Sequence, residues 1–156
     1  MVAASIQIQS QYLRDLSFEL VKSPWEKQTD ESKIKLSNDI SVITKQFEGL
    51  NIFEVAIKLN LKLLENSEEL FIIDMEYCGI FDLKGINPEH YQKILAIDCA
   101  HLLFPFIRQI ISTVTQDSGF RALSLNPINF YEIYHKKSLE NHDLKTKNIK
   151  IFKNNN

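Results

Sequence analysis

Cysteine is scarce in this chain. Cys78 and Cys99 are the only two in 156 residues, with no CxxC pair and no histidine at metal-ligand spacing from either. Two isolated thiols fit a reducing compartment and leave a zinc site without ligands. Net charge is nearly absent as well. Eighteen Lys and Arg stand against twenty Asp and Glu, a formal charge of −2, so no global field draws in nucleic acid or anionic lipid. A long apolar run is also missing. The most apolar stretch, "HLLFPFIRQIISTVTQDSGF" (101–120), is broken by Pro105, Arg108 and Gln109 before reaching the roughly 20 apolar residues of a spanning helix. The opening "MVAASIQIQSQ" lacks the basic region and apolar core of a secretory signal. These absences predict a cytoplasmic protein that does not insert into a membrane.

Enzyme signatures are missing too. There is no GxSxG, Walker loop, GxGxxG or HExxH, so no cofactor and no metal are expected. A small hydrolase built on His101 and Cys99 lacks an orienting carboxylate placed by sequence. A buried or half-buried histidine and a core-filling cysteine are the simpler assignments.

What is present is an ordinary globular balance, 44% apolar and 24% charged, sized for one domain over residues 1–140 with a flexible Lys/Asn-rich tail over 141–156. The first half is written in period two. In "NIFEVAIKLNLKLL" (51–64), Phe53, Val55, Ile57, Leu59, Leu61 and Leu63 alternate with Glu54, Ala56, Lys58, Asn60 and Lys62. "LFIIDMEYCGIF" (70–81) repeats this after the short polar turn "ENSEE". "IQIQSQYLRDLSFEL" (6–20) places Ile6, Ile8, Tyr12, Leu16 and Phe18 opposite Gln7, Gln9, Gln11, Asp15 and Glu19. A fourth, less regular strand is β-branched "KIKLSNDISVITKQF" (33–47). The long loop before it holds the single tryptophan, Trp25.

From Tyr91 to about Gln116 the period becomes helical, through Ile94, Leu95, Cys99, Leu102, Leu103, Phe106, Ile110 and Val114, and Pro105 is expected to end one helix and start another. Gly119 supplies a stop, and Asn129 with Glu132 opens a last helix to about Leu139. Four strands followed by helices predict an α+β fold, an antiparallel sheet with helices on one face. Two surfaces stand out. If strands 6–20 and 70–81 are neighbours, Asp15, Glu19, Asp74 and Glu76 form an acidic stripe around Ile72, suited to a basic partner. Aromatics on both faces of the last helix, Phe130, Tyr131 and Tyr134, exceed what one small core absorbs and imply a groove or subunit interface.

"YLRDLSFEL" (12–20), "YCGIFDLKGI" (77–86), "LFPFIRQIISTVTQDSGF" (103–120) and "LNPINFYEIY" (125–134) resemble, in order and spacing, the motifs of the SecB family of export chaperones. The resemblance implies a four-stranded sheet assembled as a dimer of dimers. It implies an ATP-independent holdase that keeps unfolded precursors in apolar grooves and passes them to the SecA motor. It assigns SecA docking to Asp15, Glu19, Ile72 and Asp74, and client binding to Trp25, Phe104, Leu123, Leu125, Phe130 and Tyr134. Cys99-Ala100 stands where the family commonly has Cys-Pro, implying that the first helix runs on differently. The basic tail replaces an often acidic one, and its contact with SecA is not carried over. The competing expectation is a SecB-like chaperone dedicated to one client, such as an antitoxin, with no SecA hand-over.

Overall fold

The computed structural model describes residues 2–26, 31–48 and 50–146. Alternating residues place four strands in one antiparallel sheet: β1 (Ser5–Leu20), β2 (Ile34–Gln46), β3 (Ile52–Glu65) and β4 (Glu68–Lys84), in the spatial order β1-β4-β3-β2. The β3–β4 hairpin turns on Asn66 and Ser67, both at positive φ (52° and 67°), as a two-residue turn matching the strand twist requires. β1 and β2 therefore lie at opposite edges, and the Trp25 segment joins them.

Helix α1 (Pro88–Asp117) follows as a single 30-residue unit, and helix α2 (Phe130–Thr146) closes the fold. α1 opens with a 3-10 turn capped by Asn87, widens to a π-turn at Leu95–Cys99, and continues as regular helix through Ala100–Asp117. Pro105 does not divide it. His101, whose carbonyl loses the N–H that proline lacks, and Pro105 itself both sit on the exposed side, where water can take the unused acceptor. Buried residues on either side carry the helix across. Ala100 in place of proline permits the same continuity at the π-turn.

The stripe Leu95, Cys99, Leu103, Ile107 and Ile111 buries against Val55, Ile57, Leu61, Phe71, Ile73 and Phe81 of the sheet. Gly79 permits the close approach, since a Cβ there would lie 2.7 Å from Leu103 Cδ2. Leu102 and Phe106, which fall in the helical apolar spacing, are 44% and 39% exposed. Helical spacing had merged two faces of α1, one packed on the sheet and one left open. By length and composition α1 passes for a membrane-crossing helix, with a mean hydropathy of 1.6 over an 18-residue window. Its packing against the sheet accounts for one apolar face.

Gly119, at φ 85°, ends α1, with its N–H on the Gln116 carbonyl and that of Phe120 on Thr115. The Asn129 side chain accepts from the Glu132 N–H and starts α2, which runs past the expected end at Leu139. Residues 147–156 of the expected tail lie outside the described residues.

Candidate functional site

The sheet has two faces, and the sequence marks each differently. One packs on α1. On the other, which we term the outer face, β1 and β4 are paired, so the residues named for docking meet. Glu19 lies opposite Ile72, Ser17 opposite Asp74, and Asp15 opposite Glu76. Asp15, Glu19 and Asp74 are exposed and Ile72 is half-buried. Asp74 accepts from the Asn60 side-chain amide at 2.6 Å. Glu76 is different. Its carboxylate is 3.0 Å from Arg14, which removes it from the free charges of the stripe. A shallow depression of about 330 Å³ gathers Asp15, Asp74 and Glu76 with Lys58, Asn60 and, from β2, Asp39. Asp39 was missed in the sequence because β2 alternates poorly. Its pairing with Asn60, which shares a face with Asp74, is the contact that brings it in.

Tyr12 also belongs to the outer face, not the core. Two irregularities in β1, between Ile8 and Ser10 and between Leu13 and Asp15, shift its phase so that Tyr12 lies opposite Cys78 and Leu13 opposite Tyr77. The Tyr12 hydroxyl donates to Glu54 Oε2 at 2.6 Å, and Arg14 reaches the same oxygen at 2.6 Å. Burial pushes the Glu54 carboxyl up, but the hydrogen bonds from Arg14 and Tyr12 outweigh it and hold the group below the usual 4.5. Tyr12 is raised in turn, chiefly by its bond to Glu54.

The residues named for client binding do not form one surface. Phe104, Leu125 and Phe130 are buried in the core. Phe130 meets Phe104 edge-on at 5.7 Å and underpins α2. Leu125 reaches a small cleft of about 190 Å³ between the 125–128 segment and Leu36, Asn38 and Leu59. Tyr134 lines the larger groove, about 770 Å³, between β2 and the two helices, with Val42, Ile43, Ala96 and Ile133. Lys137 of α2 crosses this groove to the Val42 carbonyl at 3.4 Å. Trp25 is 95% exposed in a 3-10 turn, Pro24–Glu26, whose Pro24 packs over Gly119.

Leu123 is half-buried and hangs on one buried polar contact. Its N–H donates to Thr115 Oγ1 at 2.9 Å, while that hydroxyl donates to the Ile111 carbonyl at 2.8 Å. Thr115→Val keeps the shape and orphans the Leu123 N–H. We expect a loss of about 1–2 kcal/mol in urea unfolding and faster hydrogen exchange at Leu123, because an unsatisfied buried donor bears its full desolvation cost.

A thiol-based catalytic centre does not fit the geometry. Cys99 is fully buried and burial pushes its thiol to about 12, so it stays protonated at neutral pH. His101 is exposed rather than half-buried, and lies edge-on to Phe130 at 5.1 Å.

A family model described as "Preprotein translocase subunit SecB" matches residues 2–141. The chain is 36% identical over 137 residues to a "Protein-export protein SecB" of Rickettsia bellii (strain OSU 85-389), covering 86% of this chain and 89% of that one. It is 37% identical over 131 residues to the protein of that name in Bartonella quintana (strain Toulouse), covering 84% and 82%. Among solved structures, the fold matches the Mycobacterium tuberculosis Rv1957 SecB-like chaperone, in complex with a ChAD peptide from the Rv1956 HigA1 antitoxin. The TM-score is 0.68 at 16% identity, over 80% of this chain and 91% of that one.

Proposed function

Because the chain belongs to the SecB family, we propose that it is an ATP-independent export chaperone of the cytoplasm, holding unfolded precursors and delivering them to SecA. The observation that carries this reading is the convergence of Asp15, Glu19, Ile72 and Asp74 on the outer face, away from the helices. Ile72 lies between Glu19 of β1 and Lys62 of β3, with Asp74 next along its face. Lys62 is bridged to Glu69, so an apolar residue beside the exposed acids Glu19 and Asp74 suits a basic, partly apolar docking surface, with charge steering the encounter and Ile72 adding burial. Client contact belongs to the helical side. There the groove beside Tyr134, the cleft at Leu125 and the exposed Trp25 offer several weak apolar contacts. Each stabilises modestly, at about 25 cal/mol per Å² of apolar area. Their sum grows through effective concentration when one long client touches several. Folded proteins hide such segments and escape capture.

Self-association follows from the other open face. β1 pairs only with β4 and leaves its second edge free among the described residues. Beside it Leu13, Leu102 and Phe106 are exposed, and Phe106 stacks on Tyr77 at 6.2 Å. An unpaired edge flanked by apolar side chains is a template for a second copy. It supports assembly into a dimer, and from there a dimer of dimers. Leu102→Glu/Phe106→Glu places two carboxylates in that contact. Light scattering after gel filtration should then report a smaller species than wild type at the same concentration.

Identity to the protein-export relatives, more than twice that to the antitoxin-bound neighbour, favours export over a dedicated client. The test is aggregation of a slowly folding precursor diluted from denaturant without nucleotide. Suppression at stoichiometric protein is expected. Undiminished aggregation even in excess would move the dedicated-client reading to first place.

A further inference from the structure

The outward position of Asp15 and Glu19 depends on a break in the pairing of β1 with β4. Leu13 lies opposite Tyr77 on the core side, yet Asp15 lies opposite Glu76 on the outer side, and Arg14 has no partner across the strand pair. Arg14 is therefore the extra residue of a bulge. Continued without it, the pairing would set Asp15 against Met75 and Glu19 against Phe71, both buried core positions, and turn Leu16 and Phe18 outward. Within one subunit β1 has a single neighbour, β4, so that ladder and the side chains across it set this register.

We propose that Arg14 is the positioning residue of the docking face, clamping the β1 bulge so that Asp15 and Glu19 point outward. This rests on the reading of the outer face as the SecA surface. Arg14 reaches across two strands, to Glu76 on β4 at 3.0 Å and to Glu54 on β3 at 2.6 Å. Tyr12, on the other side of the bulge, donates to the same Glu54 oxygen and accepts from Arg14 at 3.3 Å. Residues flanking Leu13 thus converge on one anchor, and the planar five-donor guanidinium holds two carboxylates and the Tyr12 hydroxyl in a fixed fork that a lysine would hold less rigidly. Cys78 sits beside this network on the outer face, between Tyr12 and Ala56, and is fully buried. Burial pushes its thiol to about 11, with Arg14 opposing that shift and Glu54 and Glu76 adding to it.

Two effects of Arg14→Met have opposite signs, which makes the test sharp. As a plain surface charge, Arg14 weakens attraction for a basic partner, so its loss would tighten SecA binding. It also favours the Cys78 thiolate, so its loss would slow Cys78 alkylation. As a clamp, its loss must do the reverse of both. The full chain and its Arg14→Met and Arg14→Lys variants are treated with iodoacetamide, labelling is followed by peptide mass with Cys99 as internal reference, and SecA affinity is measured alongside. We expect Cys78 in Arg14→Met to react about tenfold faster relative to Cys99, as local opening dictates. SecA should bind about tenfold more weakly, with Arg14→Lys intermediate in both. Unchanged or slower labelling overturns the clamp, as does faster labelling with SecA affinity intact. If wild type itself fails to bind SecA, the docking reading fails. Labelling still decides the clamp, with a faster rate retaining it and an unchanged rate removing it.

Discussion

Asp15→Arg combined with Asp74→Arg is expected to weaken SecA binding by about a hundredfold while leaving client capture at the wild-type level. Each reversal replaces an attraction with a repulsion, and a change of roughly 1.4 kcal/mol per position is a factor of ten. Both side chains are exposed, and the sheet core lies beneath the opposite face, so stability should move by no more than about 0.5 kcal/mol. The two positions are diagonal neighbours across β1 and β4, which makes their effects coupled rather than strictly additive. The loss should depend on salt. At an ionic strength of about 0.1 M charges interact over about 10 Å, so raising salt should shrink the gap between wild type and variant. Calorimetry at two salt concentrations reads both expectations. A variant that binds SecA as wild type does would remove the outer face from the hand-over.

Phe130→Ala is expected to be the most destabilising change at the client side, at about 3–5 kcal/mol, because it empties a fully buried site that the surroundings cannot refill. The ring begins α2 and contacts Phe104 and His101 edge-on. Without it α2 loses its main anchor, and the groove it shares with β2 loses a wall. A fall of about 10 °C or more in Tm should accompany weaker client capture at temperatures where the chain remains folded, measured at fixed protein concentration because assembly contributes to apparent stability. Tyr134→Ala is the useful contrast. Its half-buried ring lines the groove and supports no comparable part of the core, so it should reduce capture with a smaller change in Tm.

The sheet was legible because every second position from Phe53 to Leu61 and from Phe71 to Tyr77 is buried, and of the residues between them only Ala56 is buried as well. β1 was legible for a subtler reason. It contains two bulges, and each shifts the phase by one residue. Between them Tyr12 and Leu13 fall on faces opposite to those that simple alternation gives. Beyond the second bulge the shifts cancel, so Asp15, Leu16, Phe18 and Glu19 return to the expected sides. The acidic stripe could therefore be read from the sequence even though the backbone that produces it could not.

The helical half yielded less. No local signal distinguishes a proline on the open side of a continuous helix from one that ends it, and the π-turn before Ala100 has no mark in composition. The groove was illegible in detail, because Val42 and Tyr134 meet only through the tertiary fold. Phe104 and Phe130 stood out in the sequence as aromatics and again through the family resemblance, and in this fold both are buried, packed edge-on against each other.

In the proposed function, one molecule holds its client on the helical side and meets SecA on the outer face. Sedimentation of SecA with a preformed complex of this protein and an unfolded precursor, without nucleotide, measures that directly. The account predicts a ternary complex that retains the precursor and disappears with Asp15→Arg/Asp74→Arg. Displacement of the precursor as SecA binds, or no binding to the loaded protein at all, would contradict it.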